Sequence, residues 1–270
     1  MSKDNLFRIN INEYISSIVQ DESLFYGCTE YQAELLGIKP KELLEVLDAK
    51  VKEFLNSSNF AIRISHRNLS KVLLNGYFLN QYESKASDGG IYTPSYRKKI
   101  ERDVLNIPLL LDDEDRPIYG MCIPNDDSVG EYIENGPGSF LGANDGCLVV
   151  LNRDISPSTT FTLGDSLANY EYLRTAPVAS PFFNGIYPDF YDKFSSINEL
   201  KEASLSDIFD ANNNYLELQI HGRSNHSASI IDYVVFTKEP DEDLVSSLRS
   251  LNIPYVIAPP KEHTNKKWLH

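Results

Sequence analysis

At 270 residues, with 41% hydrophobic and 24% charged residues, the chain is long enough for one large or two small domains, each with its own core. A formal net charge of −14 weighs against broad affinity for nucleic acid or an anionic membrane, though it leaves room for a local basic groove. No stretch nears the roughly 18 consecutive apolar residues of a membrane span, and the opening MSKDNLF lacks the apolar core of a secretory signal, so a cytoplasmic protein without membrane contact is expected.

The first sixty residues read as helices. Ile11, Tyr14, Ile15, Ile18 and Val19 share one helical face, and Pro40 opens a second helix whose stripe runs through Leu43, Leu44, Val46, Leu47, Val51, Phe54 and Leu55. This predicts an N-terminal helical segment over 1–58 and a second unit over 59–270. In that unit FAIRIS (60–65) reads as a strand running into the helix HRNLSKVLLN (66–75), which Gly76 terminates. YFLNQYE (77–83) alternates like a strand, and a charged helix follows near 96–105. Strands are expected at 116–123, 147–151, 159–163, 215–221, 230–236 and 254–258, with a long loop over 124–146 and a helix near 242–251. Regular βα alternation is missing, so the fold class predicted is α+β, mainly antiparallel, with helices packed on one side.

Several standard sites are absent from the sequence. It holds no P-loop, no GxSxG and no HExxH, and GPGSFLG (136–142) has the wrong spacing for a dinucleotide loop. Cys28, Cys122 and Cys147 are odd in number and lack CxxC spacing, which suits reduced thiols. The five histidines lack metal-ligand spacing, so no metal site is expected. The basic run YRKKIER (96–102) is either a solvated helix face or a phosphate-facing one.

Three patches carry more chemistry. Arg63 sits in a strand whose other parity holds Ile62 and Ile64, and a guanidinium there suits either a salt bridge or phosphate and ribose oxygens. Tyr82, Glu83 and Ser84 crowd beside the glycine-rich turn SDGG (87–90). Hydroxyls and Asp165 cluster in TTFTLGDS (159–166). Downstream, YLELQIHG (215–222) alternates strictly. Leu216, Leu218 and Ile220 make an apolar face, while Tyr215, Glu217, Gln219 and His221 fall on the other. That polar face is either solvated or the wall of a cleft.

The order of these pieces resembles the ADP-ribosyltransferase superfamily, in particular an uncharacterised bacterial, toxin-like branch. The strand with Arg63 and Ser65 leads into a helix ending at Gly76. QYES with SDGG, YRKKIE, RPIYG and TFTLGDS follow, and ELQIHG (217–222) closes the match, which spans residues 60–238. The resemblance implies a split antiparallel β-sandwich with flanking helices, and NAD as substrate. It places Arg63 on the ribose or phosphate side of NAD with Ser65 two residues on, and makes Arg67 the alternative anchor. Tyr82 would stack on nicotinamide with Ser84 beside it. Glu217 takes the place of the catalytic acid, and Gln219 would lie next to the acceptor. The order Glu-x-Gln departs from the Glu/Gln-x-Glu of arginine-modifying transferases, which points away from arginine as acceptor.

The function this implies is mono-ADP-ribosyl transfer from NAD to a macromolecular acceptor, protein or nucleic acid, by a bacterial toxin or effector with an antitoxin or immunity protein as partner. NAD glycohydrolysis, or a non-catalytic NAD- or nucleotide-binding module of this fold, are the alternatives. On either enzymatic reading, residues 59–270 are the catalytic domain.

Overall fold

The computed structural model describes residues 33–85, 93–103, 105, 107–123, 146–163, 175–177, 194–204 and 216–257. The expected helix near 11–19, most of the 124–146 loop, SDGG and Asp165 lie outside these residues.

Helix α1 (Pro40–Ser57) starts at a proline suited to its first turn and buries Leu43, Leu47, Val51, Phe54 and Leu55 of the predicted stripe, with Leu44 and Val46 half-buried at its edge. Its C-terminal carbonyls are held from across the structure. Arg153 donates to the carbonyls of Leu55, at 2.6 Å, and of Ser58, and its guanidinium lies over the Phe60 ring. Arg153→Ala should therefore cost about 1.5–3 kcal/mol, the range for hydrogen bonds to a charged group. The urea midpoint reads this, and an unchanged midpoint would mean that helix and sheet dock without the clamp.

Strand β1 (Asn59–Ser65) passes directly into α2 (His66–Asn75). The Ser65 hydroxyl caps the helix by accepting from the Asn68 N–H, and Gly76 closes it with φ +80°. The strand expected over 77–83 does not form. Only Tyr77 makes a bridge, to Ser227, and Gln81–Ser84 is a short helix, α3. Local capping wins over the alternation. Asn80 accepts from the backbone N–H groups of Tyr82 and Glu83, and the Glu83 carboxylate accepts from the Asn80 N–H.

Helix α4 (Pro94–Asp103), strands β2 (Ile118–Ile123), β3 (Gly146–Leu151), β4 (Thr159–Leu163) and β5 (Thr175–Pro177), helix α5 (Ile197–Glu202), strands β6 (Leu216–Ile220) and β7 (Ile231–Phe236), helix α6 (Glu242–Ser250) and strand β8 (Tyr255–Ile257) follow. The eight strands form one sheet in the order β5-β4-β6-β2-β1-β3-β7-β8, antiparallel except for the final β7–β8 pair. The fold is thus α+β with a largely antiparallel sheet and flanking helices.

Strand register sorts the side chains onto two faces. Ile62, Ile64, Leu216, Leu218 and Ile220 share one core with α1, α2 and α6, so α1 belongs to the same hydrophobic body as the sheet. Ala61, Met121, Ile123, Leu148, Val150 and Val235 form a smaller cluster on the other face.

The sheet divides at its middle. β1 pairs with β2 only over Asn59–Ala61, whereas its pairing with β3 runs on to Ser65↔Gly146. From Ile118 to Met121, β2 pairs with β6. The end of β1 and the start of β2 therefore part. Gly120 sits at this fork, where a Cβ would lie 2.5 Å from the Ala61 carbonyl oxygen, so only glycine lets the two backbones come so close.

Candidate active site

Beside the fork, on the Ile62 and Ile64 side of the sheet, lies a cavity of about 350 Å³, near the lower end of the range for small-molecule pockets. Ile62, Ile64 and Ile118 line it from the strands, Asn68 and Lys71 from α2, and Gln81 and Ser84 from α3. Tyr119 also lines it and stands directly across from Gln219 in the β2–β6 ladder.

The polar face of β6 is not solvated. Glu217 is 6% exposed, Gln219 0% and His221 2%. Each polar group is matched across the β4–β6 pair, where Thr162 stands opposite Glu217 and Thr160 opposite Gln219. The Gln219 Nε2 amide donates to Glu217 Oε1 at 2.9 Å and to Thr162 Oγ1 at 3.2 Å. Thr160 Oγ1 donates to Gln219 Oε1 at 3.0 Å and lies 2.8 Å from His221 Nε2. Such a buried polar row is tolerable because its members satisfy one another.

Register places Arg63 on the same face. Ala61 opposes Met121 and Met121 opposes Glu217, so Ala61, Arg63 and Ser65 share the side of Glu217 and Gln219. Arg63 and Glu217 stand on β1 and β6, with β2 between them, and Arg63 lies beyond the paired part of β1 and β2. The Arg63 guanidinium lies over Gly146 on β3, whose missing side chain leaves room for it.

The other expected residues are placed as follows. Ser65 caps α2, and Arg67 is exposed in the first turn of that helix. Tyr82 is 6% exposed, with Arg116 and Lys98 over its ring at 5.0 and 5.3 Å. Ser84 is exposed and lines the cavity. The Gln219 amide, expected beside the acceptor, is fully buried and bonded within the protein, because both its ends face groups on β4 and β6.

Helix α4, which carries the run YRKKIER, turns part of it inward. It buries Arg97, Ile100 and Glu101. Arg97 stacks over Tyr119 at 4.2 Å and donates to Gln81 Oε1 at 3.2 Å. Glu101 takes the Tyr119 hydroxyl at 2.9 Å and Arg116 at 2.6 Å. Burial, reinforced by the Glu101 carboxylate, drives the phenol pKa values of Tyr82 and Tyr119 upward, so both remain hydrogen-bond donors. The spacing of Arg97 and Glu101 around Ile100 was the available signal, since i and i+4 share a helix face.

The two buried histidines make stability pH-dependent. Burial pushes the His221 pKa down to about 3, with His226 adding to the shift, and His226 falls to about 4 chiefly by burial. Both are neutral in the fold, whereas in the unfolded chain they protonate near 6.5. Below that pH the unfolded state binds more protons, so stability held above about pH 6.5 is lost as pH falls toward the folded values. From pH 6.5 to 5 the loss should be about 1.6 kcal/mol per histidine. Urea midpoints across this window test it, and a flat profile, or one unaltered by His226→Asn, would contradict it.

Neither a protein-family model nor a curated protein matches this sequence. Among solved structures, the chain is similar to Thermus sp. 2.9 DarT in complex with ADP-ribosylated ssDNA, with 11% identity and a TM-score of 0.42 over 75% of this chain and 94% of that one.

Proposed function

We propose that this protein is a mono-ADP-ribosyltransferase that uses NAD as substrate and modifies a macromolecular acceptor, protein or nucleic acid. One observation carries the reading. Strand register sets the Glu217 carboxylate and the Arg63 guanidinium on one face of the sheet, across β2 and beside the fork where that sheet splits. An anion and a cation so spaced suit a ligand with a cationic reacting end and an anionic diphosphate. The chemistry of the donor set fits NAD in this sense. Arg63 is the anchor for phosphate or ribose oxygens, and Tyr119, on the same face as Arg63 and Glu217, borders the cavity at the fork.

NAD supplies the ADP-ribose and the nicotinamide–ribose bond that breaks, with positive charge developing at the ribose. Glu217 is the catalytic residue: its fixed carboxylate meets that charge, and a preorganised group does so without reorganising at the moment of reaction. Arg63 positions the phosphates so that the ribose faces Glu217. The buried walls on either side of β6 exclude water from the carboxylate, which strengthens its effect.

Incubating the full chain with NAD labelled in the adenylate, with and without cell lysate or a single-stranded DNA oligonucleotide, tests the reading. Label on protein or DNA supports transfer and names the acceptor class. Free nicotinamide without labelled macromolecules makes the protein an NAD glycohydrolase. Neither product makes it a binding module. A toxin or effector role, with an antitoxin or immunity protein as partner, belongs to this reading. Growth arrest on expression, relieved by Glu217→Gln, is its cellular readout.

A further inference from the structure

We infer that Thr160 and His221 are positioning residues for Glu217, acting through Gln219. The inference rests on the proposed role of Glu217. Four side chains, from β4, β6 and the residue that follows β6, form one chain of hydrogen bonds that ends on the carboxylate, and its polarity follows from their chemistry.

The Gln219 Nε2 amide donates to Glu217 Oε1 at 2.9 Å, so the end of its side chain facing Glu217 is the NH₂ group. That orientation turns the Gln219 carbonyl toward Thr160, whose single hydroxyl proton is used in donating to it at 3.0 Å. The contact of 2.8 Å between Thr160 Oγ1 and His221 Nε2 then requires the proton on the histidine nitrogen. His221 is a neutral imidazole there, so it carries that proton as the Nε2–H tautomer. The order of donation is His221 to Thr160 to Gln219 to Glu217. Each donor polarises the next, and the amide is barred from the flipped orientation that would set its carbonyl against the carboxylate.

A merely structural row would stabilise the β4–β6 pair without bearing on the carboxylate. The difference is measurable. A positioning chain sets where the Glu217 charge sits when the ribose charge develops, so its loss lowers kcat and spares KM. A structural row, once broken, lowers melting temperature and leaves the kcat of the folded fraction unchanged.

The experiment measures kcat and KM for NAD cleavage by the full chain, with lysate as acceptor, for wild type, Thr160→Val, Thr160→Ser, His221→Leu and Glu217→Gln. Thr160→Val removes the donor that holds the Gln219 carbonyl. It should lower kcat about tenfold, the worth of roughly one hydrogen bond, with KM within about twofold. Thr160→Ser keeps the hydroxyl and should restore kcat. If Thr160→Val does not fold, His221→Leu interrupts the same chain from its other end without touching β4, and the same loss of kcat is expected. Wild-type kcat in folded Thr160→Val or His221→Leu, beside a collapse in Glu217→Gln, overturns the positioning role and leaves the proposed function standing. Full activity in Glu217→Gln, or no turnover by wild type, overturns both.

Discussion

Glu217→Gln is expected to lower NAD turnover by about 10² to 10³ while NAD binding changes little. Removing one preorganised electrostatic group typically costs that factor, and the charge it meets exists mainly in the transition state. The substitution is quiet for the fold. A glutamine at this position retains a carbonyl to accept from Gln219 Nε2, which now donates to Glu217 Oε1 at 2.9 Å, and it matches the size of the side chain it replaces. The melting temperature should therefore hold while kcat falls. Single-turnover cleavage of labelled NAD, with affinity measured by titration, separates the two quantities. Wild-type turnover in the folded variant would return the polar face of β6 to a purely structural role.

A second large effect is expected in stability, at the ion pair beneath Tyr119. Arg116 and Glu101 are both 0% exposed and 2.6 Å apart, and Arg116 also donates to the carbonyls of Pro108, Leu109 and Leu111. Arg116→Met leaves the Glu101 carboxylate buried without its cation. Breaking such a pair from one side costs about 3–5 kcal/mol, because the remaining charge has lost its compensation. The double variant Arg116→Met/Glu101→Leu removes both charges and should be less destabilised than either single change. It still leaves the Tyr119 hydroxyl without its acceptor, a cost of about 1–3 kcal/mol. Guanidinium unfolding of the three variants measures this. A loss below about 1 kcal/mol in Arg116→Met would mean that water reaches Glu101 and solvates it.

The activity prediction draws on a residue visible in the sequence, and the stability prediction on residues that were not. Glu217 stands out in YLELQIHG because a strand with a purely aliphatic face makes its other face conspicuous. Arg116 and Glu101 are charged residues fifteen positions apart, separated by a proline-containing turn. Nothing local says that they meet, and charged residues are rarely buried. The sequence-based reading of YRKKIER allowed a solvated face, yet the helix turns Arg97 and Glu101 inward because partners on β2 await them.

Elements with local signals were legible in the sequence: the apolar stripe and proline of α1, the terminal glycine of α2, the alternation of β1 and β6, and the apolar runs of β3 and β7. It also contained the cap that makes α3 a helix, since Asn80 and Glu83 stand three apart, although the alternation of YFLNQYE read more strongly as a strand. Only the tertiary structure decided the strand order, the fork at Gly120 and the register that brings Arg63 and Glu217 to one face. It alone showed that Gln219 bonds to Glu217 rather than facing outward. The physical reason is range: caps and periodicity act over three or four residues. Register instead depends on pairings between segments about 60 to 100 residues apart, where a slip of one residue would send Glu217 to the opposite face.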